Sequence, residues 1–274
     1  MKILVAADME GISGVVHFDQ VTPGHPEYER SRKVMTADVN AAVKGAFHGG
    51  ADEVIVTDGH WEGRNLLLEE LDSRVSLNVG LSSPWSMLEG IDKGVNGVLF
   101  IGYHARMGSL NAILDHTWSS ARVANVWLNG KLTGEIGLNA AVCGHFNVPV
   151  LMISGDQTAC AEAAELLGHI EQAVVKKATG RNSAECLPLE ASQEKIRNAA
   201  HLAVNHLQME AGEAPYRVQA PPQMVIEFLY SDMADRAAQL PGISRLEGKR
   251  IGFKAPDMTV AYQLFRSVVN LAAR

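Results

Sequence analysis

The chain predicts an α/β fold, a largely parallel sheet flanked by helices, with a smaller α+β C-terminal part. Two observations predict the first half of that statement. Short apolar runs recur at 2–7, 53–57, 95–101 and 148–153, the length and texture of buried strands. Helical periodicity fills much of the space between them, and strands alternating with helices imply βαβ units and parallel pairing. A third observation predicts the C-terminal part: beyond Pro215 and the Pro221-Pro222 pair, strand and helix patterns are shorter and follow a plausible boundary.

The elements follow in order. The strand at 2–7 leads through a polar loop with Pro23 and Pro26 into a long helix over 28–48, stopped by Gly49-Gly50. The strand at 53–57 leaves through Asp58-Gly59-His60, and a short strand is expected over 75–79. Pro84 suits the first turn of a short helix running to 89. The strand at 95–101 leaves through Gly102-Tyr103-His104. Alternation over 121–128 before Asn129-Gly130 reads as a hairpin with a tight turn. Gly134-Glu135 opens a helix to about 146, the strand at 148–153 follows, and Asp156 is a good N-cap for the next helix. The last third reads as a helix over 189–209, a strand over 224–229, a helix over 232–239, a strand over 250–253 and a closing helix over 257–273. These divide into a domain at 1–187 and a smaller one at 188–274, with the hairpin region 105–133 a candidate to pack with the second.

Composition narrows the function classes. With 274 residues, 47% hydrophobic and 20% charged, the chain can bury a sizeable core. A net charge of −7 argues against a nucleic-acid partner, which demands a basic face. No apolar run approaches the roughly 20 residues of a membrane span, and the opening residues do not read as a signal peptide. Cys143, Cys160 and Cys186 are scattered and odd in number, which points to a reducing, cytoplasmic setting rather than a disulfide framework or thiolate metal site.

The candidate chemistry gathers at strand exits. Asp8 and Glu10 follow the first strand, His60 the second and His104 the 95–101 strand. In a parallel sheet these exits share one edge, where open α/β sheets place their ligand sites. Glu135, at a helix start, can face the same edge. Two histidines and three carboxylates make a nitrogen–oxygen site suited to Zn²⁺ or Mn²⁺, and five ligands with a bridging Asp8 favour two ions over one. Each residue also has a plainer reading: an Asp after a strand caps turns, and a Glu opening a helix suits its dipole. His116 differs from the other loop and helix-end histidines, lying in Leu114-Asp115-His116-Thr117 within a long loop. There is no Gly-x-Gly-x-x-Gly, Gly-x-Ser-x-Gly or His-Glu-x-x-His signature.

Four segments in order carry a family resemblance: Asp8-Met9-Glu10-Gly11-Ile12-Ser13-Gly14, Asp58-Gly59-His60, Gly102-Tyr103-His104-Ala105 and Gly134-Glu135-Ile136-Gly137-Leu138-Asn139-Ala140. Together they resemble the zinc-dependent D-aminopeptidases of the DppA type, peptidase family M55. The closing segment from Phe253-Lys254-Ala255-Pro256-Asp257-Met258 to Ala261-Tyr262 is similar as well. The resemblance implies that Asp8, Glu10, His60, His104 and Glu135 bind two zinc ions per subunit, with Asp8 shared, and that His116 is the catalytic histidine. It also implies a homodecamer with enclosed active sites.

The activity so implied is hydrolysis of short peptides, with an N-terminal D-amino acid such as D-Ala, by a dinuclear zinc centre. A neutral α-amine is itself a zinc ligand, which suits an aminopeptidase. Two other readings share the ligand set. One is a two-metal phosphoesterase, against which stands the lack of an Arg/Lys cluster beside the motifs, Arg106 being the nearby cation. The other is a non-catalytic peptide-binding or transport-associated metalloprotein.

Overall fold

The computed structural model describes residues 1–80 and 82–273. Its larger sheet has seven strands in the order β3-β2-β1-β4-β7-β8-β9. These are β1 (Lys2–Ala7), β2 (Glu53–Asp58), β3 (Ser76–Asn78), β4 (Gly97–Ile101), β7 (Val150–Asp156), β8 (Glu171–Gly180) and β9 (Ser183–Cys186). Every pairing is parallel except that of β8 with β9. The second sheet, β11-β12-β10-β5-β6, is antiparallel throughout. It joins the hairpin β5 (Val123–Leu128) and β6 (Lys131–Thr133) to β10 (Gln223–Phe228), β11 (Ser244–Arg245) and β12 (Arg250–Lys254).

Alternate residues of the central strands serve two cores, as the pleat requires. Ile3, Val5, Leu99 and Ile101 face a layer that includes Val39, Ala42, Ala200 and Val204, from α1 (Tyr28–His48) and α4 (Leu189–Gln208). Leu4, Ala6, Val98 and Phe100 face α2 (Glu135–His145), α3 (Gln157–Leu167), the second sheet and α6 (Met258–Leu271). The remaining helix, α5 (Ser231–Ala237), belongs to this second layer.

Two parts of the fold depart from the expected organisation. No element was expected over 168–188, yet β8 and β9 extend the parallel sheet there. Val175 and Lys176 are both buried, and the pairing of β7 with β8 slips between Gly155 and Asp156. A slipped register carrying a buried lysine erases the alternation that marks a strand. Helix α4, grouped by sequence with the C-terminal part, packs instead on α1, β7 and β8 of the first sheet. The approach is close enough that a Cβ on Gly45 would lie 2.2 Å from the Arg197 carbonyl oxygen. Having contributed the β5–β6 hairpin earlier, the chain therefore returns to the second sheet only after α4, through 209–222. The expected short helix near 84–89 is a 3-10 turn at Ser86–Leu88.

Candidate metal centre

Strand order places the chemistry. Central strand β1 pairs with β2 on one side and β4 on the other, with Ala7 level with Asp58 and Ile101. All three strands run the same way, so Asp8, Gly59-His60 and Gly102-Tyr103-His104 leave from one edge. Backbone hydrogen bonds lock these exits together: Asp8 donates to Ile101, Gly59 to Ala7 and Gly11 to Gly102. Glycine is needed at the crossing, because a Cβ on Gly11 would lie 1.9 Å from the Tyr103 carbonyl oxygen. Gly102 sits at φ +73, where its own Cβ would meet the Asp8 carbonyl.

Glu135 and His116 come from further along the chain. Glu135 is the first residue of α2, and its Oε1 accepts a 2.7 Å hydrogen bond from the Trp118 N–H. The loop leading to Trp118 is pinned at several points. Ile113 N–H donates to Asp156 Oδ2, Leu114 N–H to the Arg181 carbonyl, and the Arg181 guanidinium to Asp115 Oδ1. His116 is thereby buried, although its stretch of sequence carries no apolar pattern, and its ring stacks on His104 with centroids 4.0 Å apart.

All six residues singled out by sequence converge in this one buried cluster. Ligand atoms of Asp8, Glu10 and His104 lie within 4.8 Å of one another, as do those of His104, His116 and Glu135. Asp8 spans the two halves, with Oδ1 3.3 Å from His60 Nδ1 and Oδ2 3.5 Å from His104 Nε2. His60 Nδ1 is also 3.0 Å from Glu10 Oε2, and His104 Nε2 is 3.0 Å from Glu135 Oε1.

The outer nitrogens of the three imidazoles fix the tautomers. His60 Nε2, His104 Nδ1 and His116 Nδ1 lie 2.8, 3.0 and 2.8 Å from the carbonyls of Val21, Ala105 and Leu114. A carbonyl only accepts, so each outer nitrogen carries a proton and each inner nitrogen offers a lone pair when the ring is neutral. This anchoring is the usual outer-sphere arrangement of metal-ligating histidines.

The electrostatics call for positive charge inside the cluster. Burial, reinforced by Glu10, pushes Asp8 up to about 7. Burial also opposes charge on Glu10 and Glu135, but the facing imidazoles outweigh it and hold both carboxyls below their usual range. Burial likewise disfavours charge on His60 and His104, yet Glu10 and Glu135 respectively drive them well above the usual histidine value. His116 goes the other way, lowered by burial and by His104. Glu10 Oε2 and His104 Nε2 are fully buried, and each meets a facing charged group at 3.0 Å rather than a well-aligned hydrogen bond. Three carboxylates facing three imidazoles, whose inner nitrogens become lone-pair donors once a cation displaces their protons, fit divalent cations of the Zn²⁺ class.

Sequence reasoning overlooked several residues that serve the site. Lys176 is buried, and its ammonium donates to the carbonyls of Glu10, Ile12 and Val15 at 2.7, 2.8 and 2.6 Å. It thus holds the loop that presents Glu10, while Asp38 holds the same loop through Ser13 N–H and Oγ. Phe18 and Val21, from the polar loop after β1, line the cavity of about 510 Å³ in front of the cluster. The cations of that cavity are Arg122 and Arg266, whereas the N–H of Arg106 is turned to Glu162.

Comparison with known proteins bears on this site. The sequence profile of the M55 peptidase family, described as D-aminopeptidase, matches residues 1–267. A D-aminopeptidase of Bacillus subtilis strain 168 is 37% identical over 276 residues, spanning 100% of this chain and 98% of the relative. Among solved structures, the Zn-dependent D-aminopeptidase DppA from Bacillus subtilis, a self-compartmentalizing protease, superposes with a TM-score of 0.95. It is 36% identical, and the match covers 100% of this chain and 98% of that one.

Proposed function

This chain belongs to the M55 peptidases, the D-aminopeptidase family, and from that membership together with the buried cluster we propose that it is a zinc-dependent aminopeptidase acting on short peptides with an N-terminal D-residue such as D-Ala. The observation that carries the reading is Asp8. Its two oxygens face different histidines, the disposition of a carboxylate shared between two ions. On this reading Asp8, Glu10 and His60 form one half of the centre, and Asp8, His104 and Glu135 the other. Bound zinc would act as a Lewis acid, acidifying a water and polarising the scissile carbonyl.

The protein's own groups supply the rest. His116 keeps a proton on Nδ1 for the Leu114 carbonyl, so Nε2 is the atom that takes up a proton and returns it to the departing amine. Glu135 is oriented by the Trp118 N–H, and Trp118 is itself packed edge-on against Tyr262 and Phe265 of α6. The walls around the cluster exclude bulk water, which strengthens each of these interactions.

The proposal extends to setting and assembly. Among the described residues no helix is long and apolar enough to cross a membrane, and the three cysteines are free thiols. Both fit a cytoplasmic enzyme. Likeness to a self-compartmentalizing protease supports a homo-oligomer, and we place it at ten subunits. The reading is tested by following release of D-alanine from D-Ala-D-Ala. Hydrolysis that stops with a chelator and returns with zinc supports it. A zinc-loaded protein that cleaves no peptide with a D- or L-residue at its N-terminus overturns it.

A further inference from the structure

We propose that Arg122 is a specificity residue that binds the C-terminal carboxylate of a short, free peptide, so that the cavity recognises its substrate at both ends. The proposal rests on the aminopeptidase reading and adds the substrate class to it.

The cavity has two chemically distinct ends. Asp8, Glu10 and Glu135 line one part of it, and Arg122, Arg266 and Asn270 line another. The second group forms one wall. Arg266 and Asn270 are four residues apart on α6 and share a face of that helix. Arg122 Nη1 lies 3.4 Å from the Val269 carbonyl, beside Asn270. Arg266 Nη1 already serves the carbonyls of Ser83 and Pro84, at 2.7 and 2.8 Å. Arg122 is half-buried and makes no ion pair among the described residues.

The backbone keeps Arg122 within a dipeptide's reach of the cluster. Trp118 N–H touches Glu135 Oε1. Ser119, the next residue, closes a turn by accepting from the N–H of Arg122 and of Val123 at 3.1 and 3.0 Å. A turn brings its end Cα atoms within about 7 Å, and adjacent Cα atoms are about 3.8 Å apart. The Arg122 Cα therefore lies within about 11 Å of the Trp118 Cα. Two extended residues reach roughly 7 Å at about 3.3–3.6 Å each, and the arginine side chain can cover what remains within that bound.

The reaction decides the direction of binding. An aminopeptidase places the amine end of its substrate at the zinc-loaded cluster, so the carboxylate end of a dipeptide is left facing the α6 wall, where Arg122 can pair with it. A guanidinium fork pairs with a carboxylate through two parallel N–H bonds, which a blocked C-terminus cannot accept in the same way.

The experiment compares D-Ala-D-Ala with its C-terminal amide, on the zinc-loaded wild type and on Arg122→Met and Arg122→Lys. The wild type is expected to favour the free acid in kcat/KM by about 10- to 100-fold, the usual worth of charge-assisted hydrogen bonds. Arg122→Met should level the two substrates, mainly by raising KM for the free acid, and Arg122→Lys should restore part of the difference. A wild type indifferent to amidation overturns the proposal without any variant, as does an undiminished preference in Arg122→Met. Either result leaves the aminopeptidase reading standing, since both peptides are still cleaved. Failure to cleave either peptide would instead remove that reading and the proposal with it.

Discussion

Replacing Lys176 by methionine isolates the contribution of a buried ammonium to the loop that carries Glu10. The side chain is nearly isosteric but donates nothing. Three buried carbonyls, those of Glu10, Ile12 and Val15, lose donors that stand at 2.6–2.8 Å. Each unsatisfied carbonyl costs about 1–3 kcal/mol, a gross penalty of about 3–9 kcal/mol. Burial partly offsets this, because it pulls Lys176 from 10.5 to about 8. At about 1.36 kcal/mol per pH unit, methionine recovers roughly 3 kcal/mol. The net destabilisation is therefore centred on about 3 kcal/mol. Urea denaturation of the zinc-free protein reads that quantity, and calorimetric zinc titration reads the effect on the loop. Loss of an outer-sphere anchor typically weakens metal binding about 10- to 100-fold, and the ion nearest Glu10 should show it. Zinc affinity unaltered at the ion nearest Glu10 would refute the role assigned to the ammonium.

Other substitutions probe the centre more directly. Asp8→Ala should lose both zinc ions and Glu10→Ala chiefly one, as read by metal analysis after gel filtration; two tight ions in Asp8→Ala would disprove sharing. His116→Ala should keep its metal while kcat falls by about 10²- to 10⁴-fold, and full turnover would remove His116 from the chemistry. Burial pushes Cys160 up to about 12 and Cys143 further still, whereas Cys186 is exposed. A thiol reagent at pH 8 should therefore label Cys186 alone in the native protein and all three cysteines after unfolding. Rapid native labelling of Cys143 would contradict the packing around α2.

The site residues were legible because a parallel sheet turns sequence order into spatial adjacency. Asp8, His60 and His104 each follow an apolar run, and pairing of β1 with both β2 and β4 needs no further information to bring them together. Glu135 was legible for a different reason, since Gly134 breaks the chain and a helix begins at the next residue. Lys176 was not legible. Its partners are main-chain carbonyls more than 160 positions away, and carbonyls leave no mark on residue type. The burial of His116 was hidden for a similar reason, because it arises from the hydrogen bonds of Ile113, Leu114 and Asp115 to β7 and the turn after β8. Placement of α4 on the first sheet depends on its close crossing with α1, which propensity and proline punctuation do not register.

The packing of Trp118 against Tyr262 and Phe265 also sets an order of events during synthesis. The residues placed around the metal site have all been synthesised by residue 135, and strands β1, β2, β4 and β7 by residue 156. The helix that backs Trp118, and with it the wall bearing Arg266 and Asn270, emerges only after residue 258. The acids and imidazoles thus precede in the chain both Lys176, which holds the Glu10 loop, and the wall of the cavity they face. In sequence order, therefore, the wall that backs Trp118 is the last part of the site to be made.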